Sequence, residues 1–184
     1  MHTPIGFRYS HTIGLLAQSG WGVSLPVDCA LGADGILYVL NRGTPIQRNV
    51  HVTVCTTAGD YRADFGAYGT GDGQFIRPTA MAIGREGFVY ISAESEHRIQ
   101  KLSPAGHFVS KRGTPGGGDG ELDGPAGMVF DRQDNLYVVD HLNNRVQKFT
   151  KDGKFLLKWG TKGEGEGQFK LPWGIGLDAA GGES

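Results

Sequence analysis

Cysteine, sustained apolar runs and surplus charge are what this sequence has little of. Its two cysteines, Cys29 and Cys55, cannot build a disulfide framework. No apolar stretch approaches the roughly 20 residues that a membrane-spanning helix needs. The opening residues, MHTPIGFRYSHTIGLL, lack the basic start and apolar run of a secretory leader. No membrane partner is expected, and no compartment follows from the sequence. Basic and acidic side chains number 18 and 19, a formal net charge of −1, which gives no global attraction to nucleic acid or an anionic surface. Catalytic signatures are missing as well. There is no G-x-S-x-G elbow, no His-Glu-x-x-His and no Gly-Lys-Ser/Thr phosphate loop.

Glycine, by contrast, is abundant. The 31 glycines and eight prolines are not scattered as in a disordered chain; they recur at fixed places between apolar runs. Pro78, Pro125 and Pro172 each open such a run and lie 47 residues apart, and Pro26 precedes Pro78 by 52. A self-similarity of this length marks a propeller or a solenoid. Each unit follows one plan. A first strand, A, alternates, with Cys29/Leu31, Met81/Ile83, Met128/Phe130 and Ile175/Leu177 on one face and small residues between them. A polar turn follows at Asp34-Gly35, Glu86-Gly87 or Asp134-Asn135. Strand B is the most apolar and carries a tyrosine in one register, Tyr38, Tyr90 and Tyr137. Strand C starts at His51, Arg98 or Arg145. Strand D runs from Tyr61, Phe108 or Phe155 to a glycine.

The expected fold is therefore all-β, a propeller of four-stranded antiparallel blades. Residues 26–66, 78–113 and 125–160 form three ABCD blades, 9–14 a lone D strand, and 172–178 the first strand of a fourth blade. No helix is expected. Cys29 and Cys55 fall on the first and third strands of one blade, about 9–10 Å apart at two strand spacings, too far for a disulfide. Both are expected as buried free thiols. The first blade carries five extra residues within 41–50.

Two stretches make the pattern specific: Gly71-Asp72-Gly73-Gln74-Phe75-Ile76-Arg77-Pro78 before a strand A, and the run from Asn135 to Phe149 containing Asp140, Asn143 and Arg145. Together they resemble the NHL repeat over roughly residues 9–178. The resemblance implies four-stranded blades around a central channel, usually six of them. Two departures stand out. The first blade lacks the Asn-x-Arg turn, and the second has Glu96-His97-Arg98 where the third has Asn143-Asn144-Arg145.

Several residue groups are candidates for chemistry. The glycine-rich segments 113–120 and 160–167 superficially suggest phosphate loops, but neither opens a helix and both occupy the same repeat position, so they read as blade-to-blade connections. Asp72, Asp119 and Glu166 are expected to serve those turns by accepting from backbone amides. His51, His97 and His141 could approach one propeller face, and the resemblance extends to the amidating lyase, whose propeller uses metal-binding histidines. Zinc, however, wants three or four ligands converging on one point, and calcium several oxygens. No cofactor is expected, with zinc or calcium the weak alternative. Arg145, Lys148, Lys151, Lys154, Lys158 and Lys162 form a late basic cluster. Some NHL propellers bind single-stranded RNA, but these side chains sit on outer strands with Trp159 as the one late stacking candidate. The leading expectation is a non-catalytic scaffold that recognises a protein, peptide or glycan-like ligand through its blade-tip loops and channel face, with the B–C turns foremost. The residues are Arg42, Glu94, His97, Arg98, Asp140, His141, Asn143 and Arg145. A metal-dependent lyase or hydrolase at the channel mouth stands second, and RNA binding third.

Three blades with two spare strands do not close a ring, since propellers need about four to eight blades. A piece of a longer propeller is the expectation, with open edges that invite homo-oligomers. Size-exclusion chromatography with light scattering should show oligomers or progressive aggregation of this chain. A compact, durable monomer would overturn that expectation.

Overall fold

The structure, a computed structural model, describes residues 23–44, 46 and 48–178. The strands in chain order are β1 (Pro26–Leu31), β2 (Ile36–Asn41), β3 (His51–Thr56), β4 (Tyr61–Phe65), β5 (Ala67–Tyr68), β6 (Gln74–Phe75), β7 (Pro78–Ile83), β8 (Val89–Ala93), β9 (Arg98–Leu102), β10 (Phe108–Arg112), β11 (Pro125–Phe130), β12 (Leu136–Asp140), β13 (Arg145–Phe149), β14 (Phe155–Trp159), β15 (Thr161–Lys162) and β16 (Gln168–Phe169). They form three four-stranded meanders, β1–β4, β7–β10 and β11–β14. Two short parallel pairs, β5 with β6 and β15 with β16, sit in the links. This is the all-β propeller arrangement, incomplete as a ring. One 3-10 turn, Glu94–Glu96, lies in the second blade's B–C connection. Among the described residues no helix is long and apolar enough to cross a membrane.

The register explains the periodicity. Asn41 pairs with His51, Ala93 with Arg98 and Asp140 with Arg145, so the first blade's five extra residues all fall in its B–C loop. The strand-A alternation is not an inside–outside pattern. It divides residues between the two neighbouring blades. Met81 packs backward onto the first blade with Tyr38, Leu40, Val52 and Val54, and Ala82 packs forward onto the third. Met128 and Leu122 complete that second layer with Ile99, Leu136, Val138 and Phe149. The core is thus a series of inter-blade layers rather than a centre, and the recurring tyrosines Tyr38 and Tyr90 each contribute a buried ring to one of them.

Hydrogen bonds between neighbouring blades, centred on their first strands, lock the blades together. The Met81 amide donates to Asp28 Oδ2 at 2.7 Å, Thr79 Oγ1 donates to the Pro125 carbonyl at 2.8 Å, and Ser92 Oγ donates to the Ala126 carbonyl at 2.9 Å. The Gly127 amide reaches the Trp173 carbonyl at 2.9 Å, continuing the series.

Two expectations are corrected. Cys55 is a buried free thiol, but Cys29 is exposed. Its face of β1 is the one that looks toward a preceding blade, and none stands there among the described residues. Residues 172–178 are placed beside β11 but are not a strand, because no second strand among the described residues completes a ladder on them. The lone D strand expected at 9–14 lies outside the described residues.

Ile91 is fully buried in the layer between the first two blades. Ile91→Val should cost about 0.5–1.5 kcal/mol and Ile91→Ala about 2–5 kcal/mol, the spread reflecting how far the layer can collapse. Urea unfolding measures both, and equal losses would show that the layer is not close-packed.

Candidate binding face at the blade tips

In an antiparallel meander the B–C turns and the D–A links leave from the same edge. The links (residues 66–77 and 113–124) therefore lie beside the B–C turns, and the polar side chains of this edge must first satisfy the links' backbone groups. In the third blade that task consumes most of the motif. Asp140 is completely buried; its Oδ1 accepts from the Asp123 amide at 2.7 Å and its Oδ2 from Arg145 Nε at 2.7 Å. The Arg145 guanidinium also donates to the carbonyls of Gly117, Gly118 and Glu121 at 2.8–2.9 Å. Gln147 donates to the Glu121 carbonyl and to Asp140, and accepts from the Gly120 amide. Asn143 donates to the Gly116 carbonyl and to Asp140. A buried charge pair is tolerable only when such bonds saturate it.

The second blade solves the same problem with different residues. Ala93 stands where the third blade has Asp140, and the carboxylate comes instead from Glu96, at the Asn143 position. Glu96 Oε1 accepts from the Ile76 amide at 2.8 Å, the repeat equivalent of Asp123. Arg98 donates to the Thr70 and Gly71 carbonyls, and Gln100 spans Gly73 and Gln74 as Gln147 spans its own link. The substitution is imperfect. Arg98 and Glu96 are 3.7 Å apart, and Glu96 Oε2 and Arg98 Nε are buried without hydrogen bonds. Burial pushes the Glu96 carboxyl above the ordinary carboxylate range, against the Ile76 amide and Arg98, which favour its charged form. In the first blade the acceptor is Asn41, whose Oδ1 takes the Ser24 amide at 2.7 Å.

A second set of contacts ties each B–C turn to the next link. His97 Nδ1 lies 3.2 Å from the Gly124 amide and 3.1 Å from Asp123 Oδ1. Asn144, one repeat later, accepts from the Leu171 amide at 2.9 Å. His97 and Asn144 both adopt left-handed backbone, at φ of 50° and 54°. Crowding here is severe: a methyl group at Gly113 would sit 2.5 Å from the His97 carbonyl oxygen.

Of the candidate residues, then, Asp140, Asn143, Arg145 and Arg98 are committed to the links. Asp140 and Arg145 are too buried to touch a ligand, which removes them from the contact set. Arg42, Glu94, His97 and His141 remain at the surface edge. Glu94 lies within 3.6 Å of Arg42 and 3.2 Å of Arg77. His141 Nδ1 donates to the Pro172 carbonyl, and its ring meets Trp173 edge-on at 5.0 Å. The metal candidates His51, His97 and His141 have unrelated neighbours, and no three His, Cys, Asp or Glu groups gather among the described residues.

Other surface residues were not anticipated. Leu25, Arg77 and Leu171 each precede a strand-A proline, each with φ near +50°, and all three are exposed. Gly124 holds the same position at φ 61°. Leu142 and Trp173 lie exposed beside them. The proline spacing marked this position, but no residue type there announced its conformation. Asp72 and Asp119 do not cap the link turns as expected. Gln74, Glu121 and Gln168 accept the amides of Gly71, Gly118 and Gly165, while the two aspartates pair with Lys111 and Lys158. Lys148 and Lys151 pair with Asp131 and Glu86, so the late basic cluster is largely neutralised.

The NHL repeat family model matches residues 122–149. Among solved structures, a streptogramin B lyase superimposes with a TM-score of 0.61 at 18% identity over 86% of this chain and 47% of its own. A catalytically inactive virginiamycin B lyase from Staphylococcus aureus gives 0.60 at 16% identity, over 83% and 45%. A chain of a nidogen–laminin complex gives 0.62 at 18%, over 86% and 54%. At these identities the likeness is one of fold. The chain spans less than half the length of the lyases it matches.

Two outcomes follow from the link contacts. Arg145→Ala should destabilise the chain by about 3–5 kcal/mol, because it strands a buried carboxylate. Arg98→Ala, with fewer and poorer bonds, should cost only about 1–2 kcal/mol; paired urea titrations decide, and equal costs would refute the ranking. Glu96 sets a pH dependence. A carboxyl held above its ordinary value binds its proton more readily folded than unfolded, so its contribution is present at acid pH and lost as pH rises through the raised value. Relative to Glu96→Gln, the wild-type chain should therefore lose stability as pH rises from the ordinary carboxylate range through the raised value. Parallel stability–pH profiles would contradict this.

Proposed function

We propose that this chain, an NHL-repeat β-propeller, is a non-catalytic interaction scaffold that presents its B–C and D–A edge to a protein or peptide. One observation carries the reading. The motif's polar residues are spent on the scaffold, and what remains outward on that edge is a mixed set of side chains, Leu25, Arg77, Leu142 and Leu171 with Arg42 and His97. Side chains that vary from blade to blade on a rigid frame suit recognition rather than chemistry. Arginine, present here as Arg42 and Arg77, is a residue type enriched at protein interfaces. The likeness to a chain of the nidogen–laminin complex supports protein partners in general.

The paired state of the basic cluster weighs against an RNA track, which needs unpaired cations and stacking rings along one face. A metal-dependent lyase would require ligands to gather, and the described histidines face different neighbours. Random peptide display on the purified chain, followed by hydrogen exchange, tests the reading. Selected peptides should protect residues 94–97 and 141–144 and leave the A–B turns unchanged. Protection confined to the opposite edge would refute it. Stoichiometric zinc or calcium in the purified protein, lost on replacing His97 or His141, would move the assignment to the lyase class.

A further inference from the structure

The cleft between the first two blades has a chemistry that the scaffold does not use. It is an open cleft of about 500 Å³ lined by Arg42, Gly43, Thr44, Val50, Tyr68, Ile76 and Arg77. Arg42 comes from the B–C loop of one blade and Arg77 from the link entering the next, so the cleft exists only where two blades meet. Both guanidiniums turn toward a single carboxylate, Glu94 Oε2, at 3.6 and 3.2 Å. Charge-assisted hydrogen bonds run to about 2.7–2.9 Å, and neither pair reaches that; Glu94 Oε2 is buried and makes no hydrogen bond. Two cations thus share one loosely held anion, and a third, Arg48, lies over the Tyr68 ring at 4.8 Å.

Resting on the scaffold reading above, we propose that this cleft binds a carboxylate side chain of an acidic peptide segment, with Arg42 and Arg77 as the clamp. Each guanidinium presents five donors in a planar fork suited to a carboxylate. Glu94 faces one NH2 group of each without hydrogen-bonding to it, and two guanidiniums against one carboxylate leave a surplus of positive charge. Val50, Ile76 and the Tyr68 ring give the floor an apolar character that suits the aliphatic or aromatic residue next to an acidic one. A nucleic acid fits less well, because its affinity grows with a track of phosphate contacts and this cleft is a single localised site.

The test uses the full 184-residue chain and random dodecapeptides displayed on phage. Selected sequences should be enriched in Asp and Glu over the naive library. As fluorescein-labelled peptides, they should bind the Arg42→Glu/Arg77→Glu variant at least tenfold more weakly by anisotropy. Arg42→Lys/Arg77→Lys, which keeps charge but loses the planar fork, should fall between. Unchanged thermal melting of both variants controls for folding, and Arg145→Lys serves as a destabilised comparison that should retain peptide binding where folded. Selected peptides without acidic enrichment, or with equal affinity for the charge-reversed variant, overturn the cleft assignment and leave the scaffold reading standing. Failure to select any peptide overturns both. If a labelled twelve-nucleotide oligouridine binds and the charge-reversed variant abolishes it, the site belongs to nucleic acid and the peptide proposal is wrong.

Discussion

Every link between blades carries backbone amides and carbonyls past the end of a sheet, and each must find a partner or forfeit the fold. Most of what is distinctive in this sequence answers that demand. A buried acceptor at the B–C edge takes the amide two residues before the strand-A proline: Asn41 for Ser24, Glu96 for Ile76 and Asp140 for Asp123. An unmet buried amide or carbonyl costs about 1–3 kcal/mol, a large part of a marginal stability of about 5–15 kcal/mol. The arginine and glutamine of strand C extend the same service to the link's carbonyls. Layer packing then supplies the hydrophobic free energy, but only because the links hold each blade at the separation where Met81 or Met128 can reach its neighbour.

This division of labour explains what the sequence reveals and what it hides. The blades are legible because apolar alternation and proline spacing are properties of single strands, and Tyr38, Tyr90 and Tyr137 keep register across all three units. The scaffold role of Asp140 and Arg145 is half legible. An acid and a basic residue at paired ends of adjacent strands suggest a local ion pair, and the ion pair is there, yet the bonds to Gly117, Gly118 and Glu121 cross 24–28 residues. The second blade is harder still. Ala93 and Glu96 each look like a loss of motif when compared position by position. In space, the longer Glu96 side chain returns a carboxylate to the place that Ala93 vacates. Alignment sees two substitutions where the structure has one exchanged role.

The exchange has a physical consequence. Asp140 meets Arg145 at 2.7 Å with its remaining valences satisfied, whereas Glu96 stands 3.7 Å from Arg98 with one oxygen unpaired. The second blade therefore holds its link with a looser ion pair than the third. Its link is also the one that delivers Arg77 to the face, so this looser ion pair lies beside the Arg42–Arg77 cleft.

The exposed ring of pre-proline residues can be read the same way. A residue before proline is driven toward extended backbone, and a non-glycine residue at positive φ is costly, about 1–3 kcal/mol for a strained conformation. Leu25, Arg77 and Leu171 nevertheless share φ near +50°. The carbonyls of Leu25 and Arg77 are held by the amides of Arg42 and Glu94, and the Leu171 amide by Asn144. The turn at this position is thus imposed by the links, and its effect is to throw one side chain per blade outward. Where the residue is Gly124 no side chain emerges, and Leu142 and the Glu94 stem close over the gap, 3.2 and 3.6 Å from where a methyl would stand. Identity at this one position sets the chemistry of each blade's contribution to the face, apolar at Leu25 and Leu171, cationic at Arg77, absent at Gly124. The side chain at this position can therefore vary while the backbone bonds that impose the turn stay in place.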